Sequence, residues 1–263
     1  MNDISSPHAL HNIPHRRLCL AADMAQYSRL DTRAQSAAQA DLARLLDEAA
    51  LLTGLDRAAW ARQPQGDMEL AVLPDSTSEA EVLGPFVNHL TAGLSELNTC
   101  PTVPRIRLRL AVDTGIAADA ALGYAGPAPV AVARYVNAPQ VKAVLAALTS
   151  ADLALIVSDR LYQDVVRYGH PGLDPAQYVR VHVQVKEFEG YGWIHVPGHG
   201  PDRVRPVLEG MATPLPSAAA PATYRRKLSQ YVHHGVAVGR DVSGGLSVSL
   251  PTMPSSASPW QPR

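Results

Sequence analysis

The order of apolar patterns between residues 16 and 198 is the feature that most constrains how this chain can fold. Residues 17–22 form a short apolar run, which predicts a buried central strand with Asp23 at its end. The next stretch carries leucine and alanine on one helical stripe and stops at Gly54, so it predicts a long amphipathic helix. Beyond it, residues 58–65 and 68–73 flank Gly66-Asp67, which predicts two strands joined by a hairpin turn.

The rest of this region continues the alternation of helices and strands. Residues 105–112 alternate strictly between arginine and apolar side chains, which is typical of a strand. The other predicted elements are helices over 79–97 and 129–148, a strand over 153–157, a helix that follows Ser158, and strands over 179–187 and 192–196. The order βαββαβ, with extra elements, is that of a ferredoxin-like split βαβ sheet. We therefore predict a mixed α/β (α+β) domain over residues 16–198.

The composition and net charge of the chain limit the kinds of molecule and surface that it can bind. The chain has 263 residues, 46% of them hydrophobic, so it can bury a full core. A formal net charge of -1 gives no electrostatic basis for binding nucleic acid or an anionic membrane. No apolar run approaches the roughly 20 residues of a membrane helix, and the polar N-terminus lacks the apolar core of a signal peptide. We expect a cytoplasmic protein that binds neither nucleic acid nor membrane, with residues 1–15 disordered.

The composition changes after Gly198. Prolines mixed with alanine and serine predict a linker over residues 199–223, and residues 251–263 are predicted to be disordered. Between them, residues 224–250 form a predicted β-rich tail, because residues 231–250 alternate β-branched and small side chains around glycines. Two interpretations of this tail stay open: self-association with other copies, or a plain hairpin docked on the sheet of the main domain.

Several segments carry a resemblance to a known family. Residues 18–28 (LCLAADMAQYS) form an apolar strand that ends in aspartate, residues 65–74 (QGDMELAVLP) form a Gly-Asp hairpin, and residues 108–115 (LRLAVDTG) form a further strand. Ala133-Arg134 and residues 155–158 (LIVS) follow in matching order. Together these segments resemble the catalytic domain of class III nucleotidyl cyclases, the adenylate and guanylate cyclases. The resemblance implies a split βαβ fold that converts a nucleoside triphosphate into a cyclic nucleotide and pyrophosphate.

Asp23 and Asp67 are the candidate metal ligands and catalytic residues. The resemblance implies two divalent ions, Mn²⁺ or Mg²⁺, and such hard cations prefer carboxylate oxygens. Bound ions lower the pKa of the attacking 3′-hydroxyl and neutralise the phosphates. Asp67 could instead be a simple turn residue, and Asp23 could cap the following helix. Glu69 could join the pair, although a solvated strand residue is the simpler interpretation.

Arg109 and Arg134 are the candidate phosphate-binding residues. Arg109 matches the family position that grips the triphosphate, and Arg134 matches the catalytic position that stabilises charge in the transition state. Alternatively, Arg109 belongs to a solvated strand face and Arg134 is a surface helix residue. Family members build the site at a dimer interface, so the resemblance implies a homodimer in which Asp23 and Asp67 face Arg134 of the other chain.

The departures from the family pattern concern the base and the ribose. Val130 stands where the family has asparagine, one helical turn before Arg134. Gln63, the candidate base-binding residue, stands where adenylyl cyclases have a purine-selecting lysine, and Gly123 replaces its partner aspartate. A pyrimidine triphosphate, UTP or CTP, is therefore the expected substrate, and the resemblance to bacterial pyrimidine cyclases implies antiviral signalling. The alternative is a catalytically degenerate cyclase module that binds nucleotide or a partner, with the tail as a self-associating segment.

Overall fold

The computed structural model describes residues 14–211. The predicted β-rich tail over residues 224–250 and the predicted disordered C-terminus over residues 251–263 lie outside the described residues, as does nearly all of the N-terminal segment. These assignments therefore stay predictions.

The described residues form eight strands and seven α-helices. The strands are β1 (His15–Met24), β2 (Ala61–Gln65), β3 (Met68–Val72), β4 (Leu108–Ala120), β5 (Gly123–Ala125), β6 (Leu153–Ser158), β7 (Val179–Val185) and β8 (Phe188–His195). The helices are α1 (Thr32–Thr53), α2 (Glu79–Glu81), α3 (Val87–Asn98), α4 (Pro127–Val136), α5 (Pro139–Ala147), α6 (Asp159–Asp164) and α7 (Pro201–Met211). Among residues 14–211, no helix combines the length and the apolar character needed to cross a bilayer.

One mixed sheet organises these elements. Its strand order is β2-β3-β1-β4-β6-β8-β7, and β5 pairs with β4. The pairing of β4 with β6 is parallel, and the other pairings are antiparallel. The predicted mixed α+β class is thereby confirmed, and β1 lies inside the sheet between β3 and β4, as the apolar pattern of residues 17–22 predicts.

Helices cover both faces of the sheet, which explains why residues 18–22 of β1 are apolar without interruption. Leu18, Leu20 and Ala22 pack into a core with α1 and α3, whereas Cys19 and Ala21 pack into a second core with α4, α5 and α7. Both sets of side chains are at most 5% exposed. A strand buried on both faces carries apolar residues at every position, and a charged residue at its end needs a specific partner.

The predicted helix over residues 129–148 is wrong in one respect, because the structure divides it into α4 and α5. Helix α4 ends before Asn137, and Ala138 adopts an extended conformation with ψ of 134°. Pro139 is the reason: proline lacks an N–H group and disfavours the helical conformation of the residue before it. As the first residue of α5, Pro139 is well suited to begin a new helix.

Helix α7 lies where the composition predicts the beginning of the linker. Pro201 is the first residue of α7 and Pro206 lies inside it, while Val204 is only 1% exposed. A proline in the first turn costs no hydrogen bond, since the first N–H groups of a helix have no partner within the helix. The ordered part of the chain therefore extends beyond residue 198, and counting prolines alone placed the linker boundary too early.

Candidate active site

Asp23 lies near the end of β1 and is only 5% exposed. It shares the sheet face of Ala21, and its neighbours in the register are Met68 on β3 and Arg109 on β4. The possibility that Asp23 caps the next helix is excluded, because Asp31 is the N-cap of α1 and accepts a hydrogen bond from the Ala34 N–H. The position of the Asp23 carboxylate is therefore determined by the strands of the sheet and not by a helix N-terminus.

Asp67 lies at the tip of the β2–β3 hairpin, next to the end of β1. Gly66 has a φ of 69°, a left-handed conformation that glycine adopts without strain. The backbone N–H of Met24 donates to the carbonyl oxygen of Asp67 at 2.9 Å, so the hairpin tip is fixed to the residue after Asp23. Burial is the main cause of the raised pKa of Asp23, and the charge of Asp67 adds to it, as expected of two neighbouring carboxylates.

Arg109 pairs with Asp23 across β1 and β4. Its Nε donates to Asp23 Oδ2 at 2.9 Å and its Nη2 contacts the same oxygen. The Arg109 side chain is 14% exposed, so it does not belong to a solvated strand face. Burial raises the pKa of the Asp23 carboxyl above its usual value, while the hydrogen bond and charge of Arg109 oppose this effect.

Lys142 on α5 is a further cation whose charge acts on Asp23, and the sequence patterns did not indicate it. Burial raises the pKa of Asp23, and the charge of Lys142 is one of the effects that oppose this rise. The Lys142 Nζ donates to Asn137 Oδ1 at 2.9 Å. Lys142 is exposed, so its ammonium group is available to an anion near the two aspartates. Only the packing of α5 against the sheet brings it there, because Lys142 is far from both aspartates in the sequence.

The residues at the end of β1 fit a divalent cation that binds together with phosphate. Two carboxylates, Asp23 and Asp67, supply hard oxygen ligands, whereas no group of three or more His, Cys, Asp or Glu residues that could hold a metal occurs within residues 14–211. Mg²⁺ commonly binds through one or two carboxylates together with substrate phosphates and water. The site therefore suits an ion whose other ligands are water and phosphate better than an ion held by protein ligands alone.

Glu69 is not a member of this site. It is 8% exposed and forms two hydrogen bonds with Arg57, at 2.7 and 3.0 Å. Its neighbours along β3, Ala71 and Leu73, pack on the face of α1 and α3, opposite the face of Asp23. The expectations that Glu69 is solvated or that it joins the two aspartates are both wrong, because the reversal of the chain at the turn places it on the other face.

Arg134 lies in the last turn of α4, and its partner within the described residues is Glu187 rather than either aspartate. Its Nη2 lies 3.1 Å from Glu187 Oε1, on the turn between β7 and β8. Val130 is 47% exposed and faces a cavity of about 510 Å³ between α4 and the β7–β8 hairpin. Arg134 is a partly buried helix residue, with 23% of its side chain exposed.

Gln63 on β2 and Gly123 on β5 lie against each other. A Cβ atom on Gly123 would come within 1.4 Å of Gln63 Nε2, so the glycine leaves the space that the amide occupies. The Gln63 Nε2 atom is buried and has no hydrogen-bond partner in the described part of the chain. Gln63 and Gly123 are therefore adjacent, and this place carries an unsatisfied amide donor.

Asp113 adds a second buried carboxylate on β4, in the cavity that Val130 faces. It is 7% exposed, and burial raises its pKa while hydrogen bonds with Ser158 and the Thr114 backbone oppose this effect. Burial also raises the pKa of the neighbouring Cys19 thiol to about 12, so this thiol stays protonated at neutral pH.

Comparison with known proteins gives matches in structure alone. No protein-family model and no curated protein matches the sequence. The crystal structure of the guanylyl cyclase Cya2 matches with a TM-score of 0.51 and 12% identity, covering 71% of this chain and 93% of that chain. An adenylate/guanylate cyclase/hydrolase from Silicibacter pomeroyi matches with a TM-score of 0.51 and 20% identity, covering 70% of this chain and 98% of that chain. The chain has the fold of a cyclase catalytic domain.

Within this cyclase fold, the predicted site residues fall into separate groups. Asp23, Asp67 and Arg109 come together at the end of β1. Arg134 lies on α4 beside the β7–β8 hairpin, and Gln63 lies against β5. Within one chain, two carboxylates and the guanidinium group of Arg109 therefore lie together. Arg134 and Gln63 lie elsewhere and contact other residues.

Proposed function

We propose that this protein is a class III nucleotidyl cyclase that converts a nucleoside triphosphate into a 3′,5′-cyclic nucleotide and pyrophosphate with two divalent ions, Mn²⁺ or Mg²⁺. The observation that carries the proposal is the meeting of Asp23, Asp67 and Arg109 at the end of a buried central strand. Two carboxylates with like charge beside one guanidinium form a site that gains from an additional cation and from phosphate. The cyclase fold supports this proposal.

Each residue has a defined task in the reaction. When bound, the metal ions lower the pKa of the 3′-hydroxyl and neutralise charge on the triphosphate. Asp23 and Asp67 would hold the ions through their carboxylate oxygens, and the register of β1 and β4 keeps Asp23 in place. Arg109 and Lys142 would bind phosphate oxygens, because permanently charged donors near the carboxylates attract the negative triphosphate and orient it.

A second copy of the chain would complete the site. Within the described residues, the Arg134 guanidinium donates a hydrogen bond to Glu187 and not to Asp23 or Asp67. A group that stabilises the charge developing on the α-phosphate must approach the reacting atoms, so we propose that Arg134 of a partner chain supplies it in a homodimer. Phosphate would replace Glu187 as the partner of Arg134 in that arrangement.

The base is proposed to be a pyrimidine, uracil or cytosine. The carboxamide of Gln63 both donates and accepts hydrogen bonds, and its Nε2 has no partner within the described residues. Uracil and cytosine each present a carbonyl oxygen that could accept this bond. Guanine presents one as well, so the proposal of a pyrimidine depends on the replacement of the purine-selecting lysine and aspartate by Gln63 and Gly123. The cyclic pyrimidine nucleotide would act as a messenger, with antiviral signalling as the proposed role.

A non-catalytic function is the second candidate, and Val130 favours it. An exposed valine cannot donate a hydrogen bond to a ribose or phosphate oxygen. Arg109 and Arg134 are each already paired with a carboxylate, so the fold can exist with these charges balanced. A module of this kind would bind nucleotide or a partner without converting it.

The deciding experiment is incubation of the full chain with ATP, GTP, CTP and UTP separately, in the presence of Mn²⁺, followed by mass spectrometry. A 3′,5′-cyclic pyrimidine nucleotide with pyrophosphate is the expected product. A cyclic purine nucleotide alone would contradict the assignment of the base but keep the reaction. Saturable binding of nucleotide without any product would favour the non-catalytic module.

A further inference from the structure

A buried cluster of charged residues lies behind the hairpin that carries Asp67. Arg57, in the turn Arg57–Ala59, donates from Nη1 to Glu69 Oε1 at 2.7 Å and from Nη2 to Glu69 Oε2 at 3.0 Å. Its Nε contacts Asp47 on α1, and its guanidinium lies 5.3 Å from the ring centre of Trp60. The Arg57 side chain is 5% exposed and the Glu69 side chain 11% exposed. We refer to Asp47, Arg57 and Glu69 as the clamp.

The clamp connects β3 to α1, and a longer contact outside the clamp connects β2 to the same helix. Glu69 lies on β3, two residues after Asp67, and reaches Asp47 through Arg57. Arg62 on β2 lies 3.9 Å from the same Asp47 carboxylate. Strand β2 is at the edge of the sheet and pairs only with β3, so the described backbone gives it no support on its outer side. The clamp supplies a support from the face opposite Asp23.

The ion pair between Arg57 and Glu69 fixes the geometry of this region more than it stabilises the fold. Removing a carboxylate and a guanidinium from water has a cost that their attraction only partly recovers, and a well-packed apolar pair can give equal or greater stability. A two-fold hydrogen bond between arginine and carboxylate, however, fixes the relative position of the two side chains in distance and angle. Such a pair next to a turn is suited to hold that turn in one position.

We propose that Glu69 and Arg57 are positioning residues that hold the tip of the β2–β3 hairpin, and with it the Asp67 carboxylate, beside Asp23. This inference rests on the proposed function, since Asp67 is there a metal ligand. Glu69 and Arg57 bind neither metal nor nucleotide; they act through the backbone of β3. The link from the tip to β1 is the hydrogen bond from the Met24 N–H to the Asp67 carbonyl oxygen.

Two variants of the full chain test the clamp. The double variant Arg57→Met with Glu69→Leu replaces it with an apolar pair of similar size, and Glu69→Gln keeps the shape but removes the negative charge. Amide hydrogen exchange of Met24, measured by NMR in metal-free protein, reports the position of the tip without any metal. Binding of Mn²⁺ with nucleotide, measured by electron paramagnetic resonance, reports the site. We expect exchange at Met24 to become faster and Mn²⁺ affinity to fall by about 10- to 100-fold, as for residues that orient metal ligands in other sites.

The matched control is Arg16→Met with Asp164→Asn. This pair has an N–O distance of 3.1 Å, and Arg16 lies at the opposite end of β1 from Met24, so neither readout should change. Unchanged exchange at Met24 in both clamp variants would overturn the inference, and so would faster exchange with unchanged Mn²⁺ affinity. If the wild-type chain binds no Mn²⁺ and Asp67→Asn has no effect, the proposed function fails, and the exchange rate of Met24 alone then decides whether the clamp holds the hairpin. Glu69→Gln keeps the test possible if the double variant does not fold.

Discussion

At the scale of single residues, the molecule places ionisable groups where burial disfavours their charge. Burial raises the pKa of Asp23 and of Asp113. A carboxyl whose pKa is higher in the folded chain than in the unfolded chain binds its proton more readily when folded. This tighter proton binding adds to the free energy of unfolding at pH values below the pKa of the carboxyl in the unfolded chain, near 3.8. The contribution is lost as the pH rises through the pKa of the carboxyl in the folded chain. Both aspartates therefore cost stability at neutral pH.

Asp113 gives the cleaner test of this cost, because its hydrogen bonds are with Ser158 and the Thr114 backbone, whereas Asp23 is hydrogen-bonded to an arginine. Asp113→Asn keeps the shape of the side chain and removes the charge, so the variant should be more stable than wild type at pH 7.5. The difference in stability between the variant and wild type should decrease as the pH falls towards 3.8, the usual pKa of the aspartate carboxyl group. Thermal unfolding followed by circular dichroism over this pH range measures it. Asp119→Asn, at the exposed end of the same strand, is the control for the substitution itself. A pH-independent difference for Asp113→Asn would contradict the argument.

The second prediction at this scale concerns Asp67 under the proposed function. Asp67→Ala should lower kcat by at least about 100-fold, because no neighbouring side chain can replace its carboxylate in stabilising charge during the reaction. The melting temperature should stay close to that of wild type, since the bond from Met24 uses the Asp67 backbone. Steady-state turnover with Mn²⁺ measures this effect. Asp75→Ala is the control, and full activity in Asp67→Ala would exclude the metal assignment.

At the scale of elements, the passage from the β4–β5 hairpin into α4 depends on one glycine. Gly126 precedes Pro127, the first residue of α4, and has a φ of 127°. A Cβ atom there would lie 2.5 Å from the Ile116 carbonyl oxygen. The backbone of the helix start thus lies against β4 at a distance that no other residue allows. This close approach sets the direction of α4, and with it the position of Arg134.

Gly126→Ala should therefore destabilise the protein by at least about 2 kcal/mol, from the left-handed φ and the backbone clash together. Gly210→Ala is the matched control, because nothing lies within 4 Å of its added methyl group and it is in α7. That substitution should stabilise the chain by up to about 0.5–1 kcal/mol, as alanine is the better helix former. Urea unfolding of both variants gives the comparison. Equal stabilities would mean that the start of α4 can move away from β4.

At the scale of the whole molecule, the aspartates and the arginine that the proposed reaction needs at one site lie apart within a single chain. The aspartate group lies at the end of β1, whereas Arg134 is bonded to Glu187 on the β7–β8 hairpin. A symmetric dimer resolves the separation, because each of its two sites can take the aspartates from one chain and the arginine from the other. The proposed function therefore makes the dimer part of the catalytic site.

Mixing two inactive variants tests this arrangement. Asp67→Ala and Arg134→Ala should each be nearly inactive alone, while an equal mixture that exchanges subunits should recover about a quarter of wild-type activity, since half of the dimers carry one intact site. Turnover measured after mixing at several concentrations gives the result. Asp67→Ala mixed with Asp23→Ala is the control and should recover nothing. Recovery in the control, or none in the test mixture, would contradict a site shared in this way.

Several features of the fold could be predicted from local patterns. The apolar run before Asp23 predicted the central strand, and Gly66-Asp67 predicted the hairpin, because strand burial and turn geometry depend on neighbouring residues. Local patterns failed where two segments far apart in the sequence meet. The pairing of Glu69 with Arg57 and the approach of Lys142 to Asp23 have no local signal, since neither depends on sequence spacing.

Local patterns in the chain were enough to predict the mixed α+β class, the central position of β1 and the presence of two aspartates at strand and hairpin ends. Hydrophobic periodicity and turn residues act over a few residues and are visible in the chain. The tertiary structure alone decided which charges are buried and which partner each one has: Arg109 with Asp23, Arg57 with Glu69, and Arg134 with Glu187. The physical reason is that the cost of burying a charge and the gain from pairing it depend on distances between elements, which are set only when the sheet and its helices pack together.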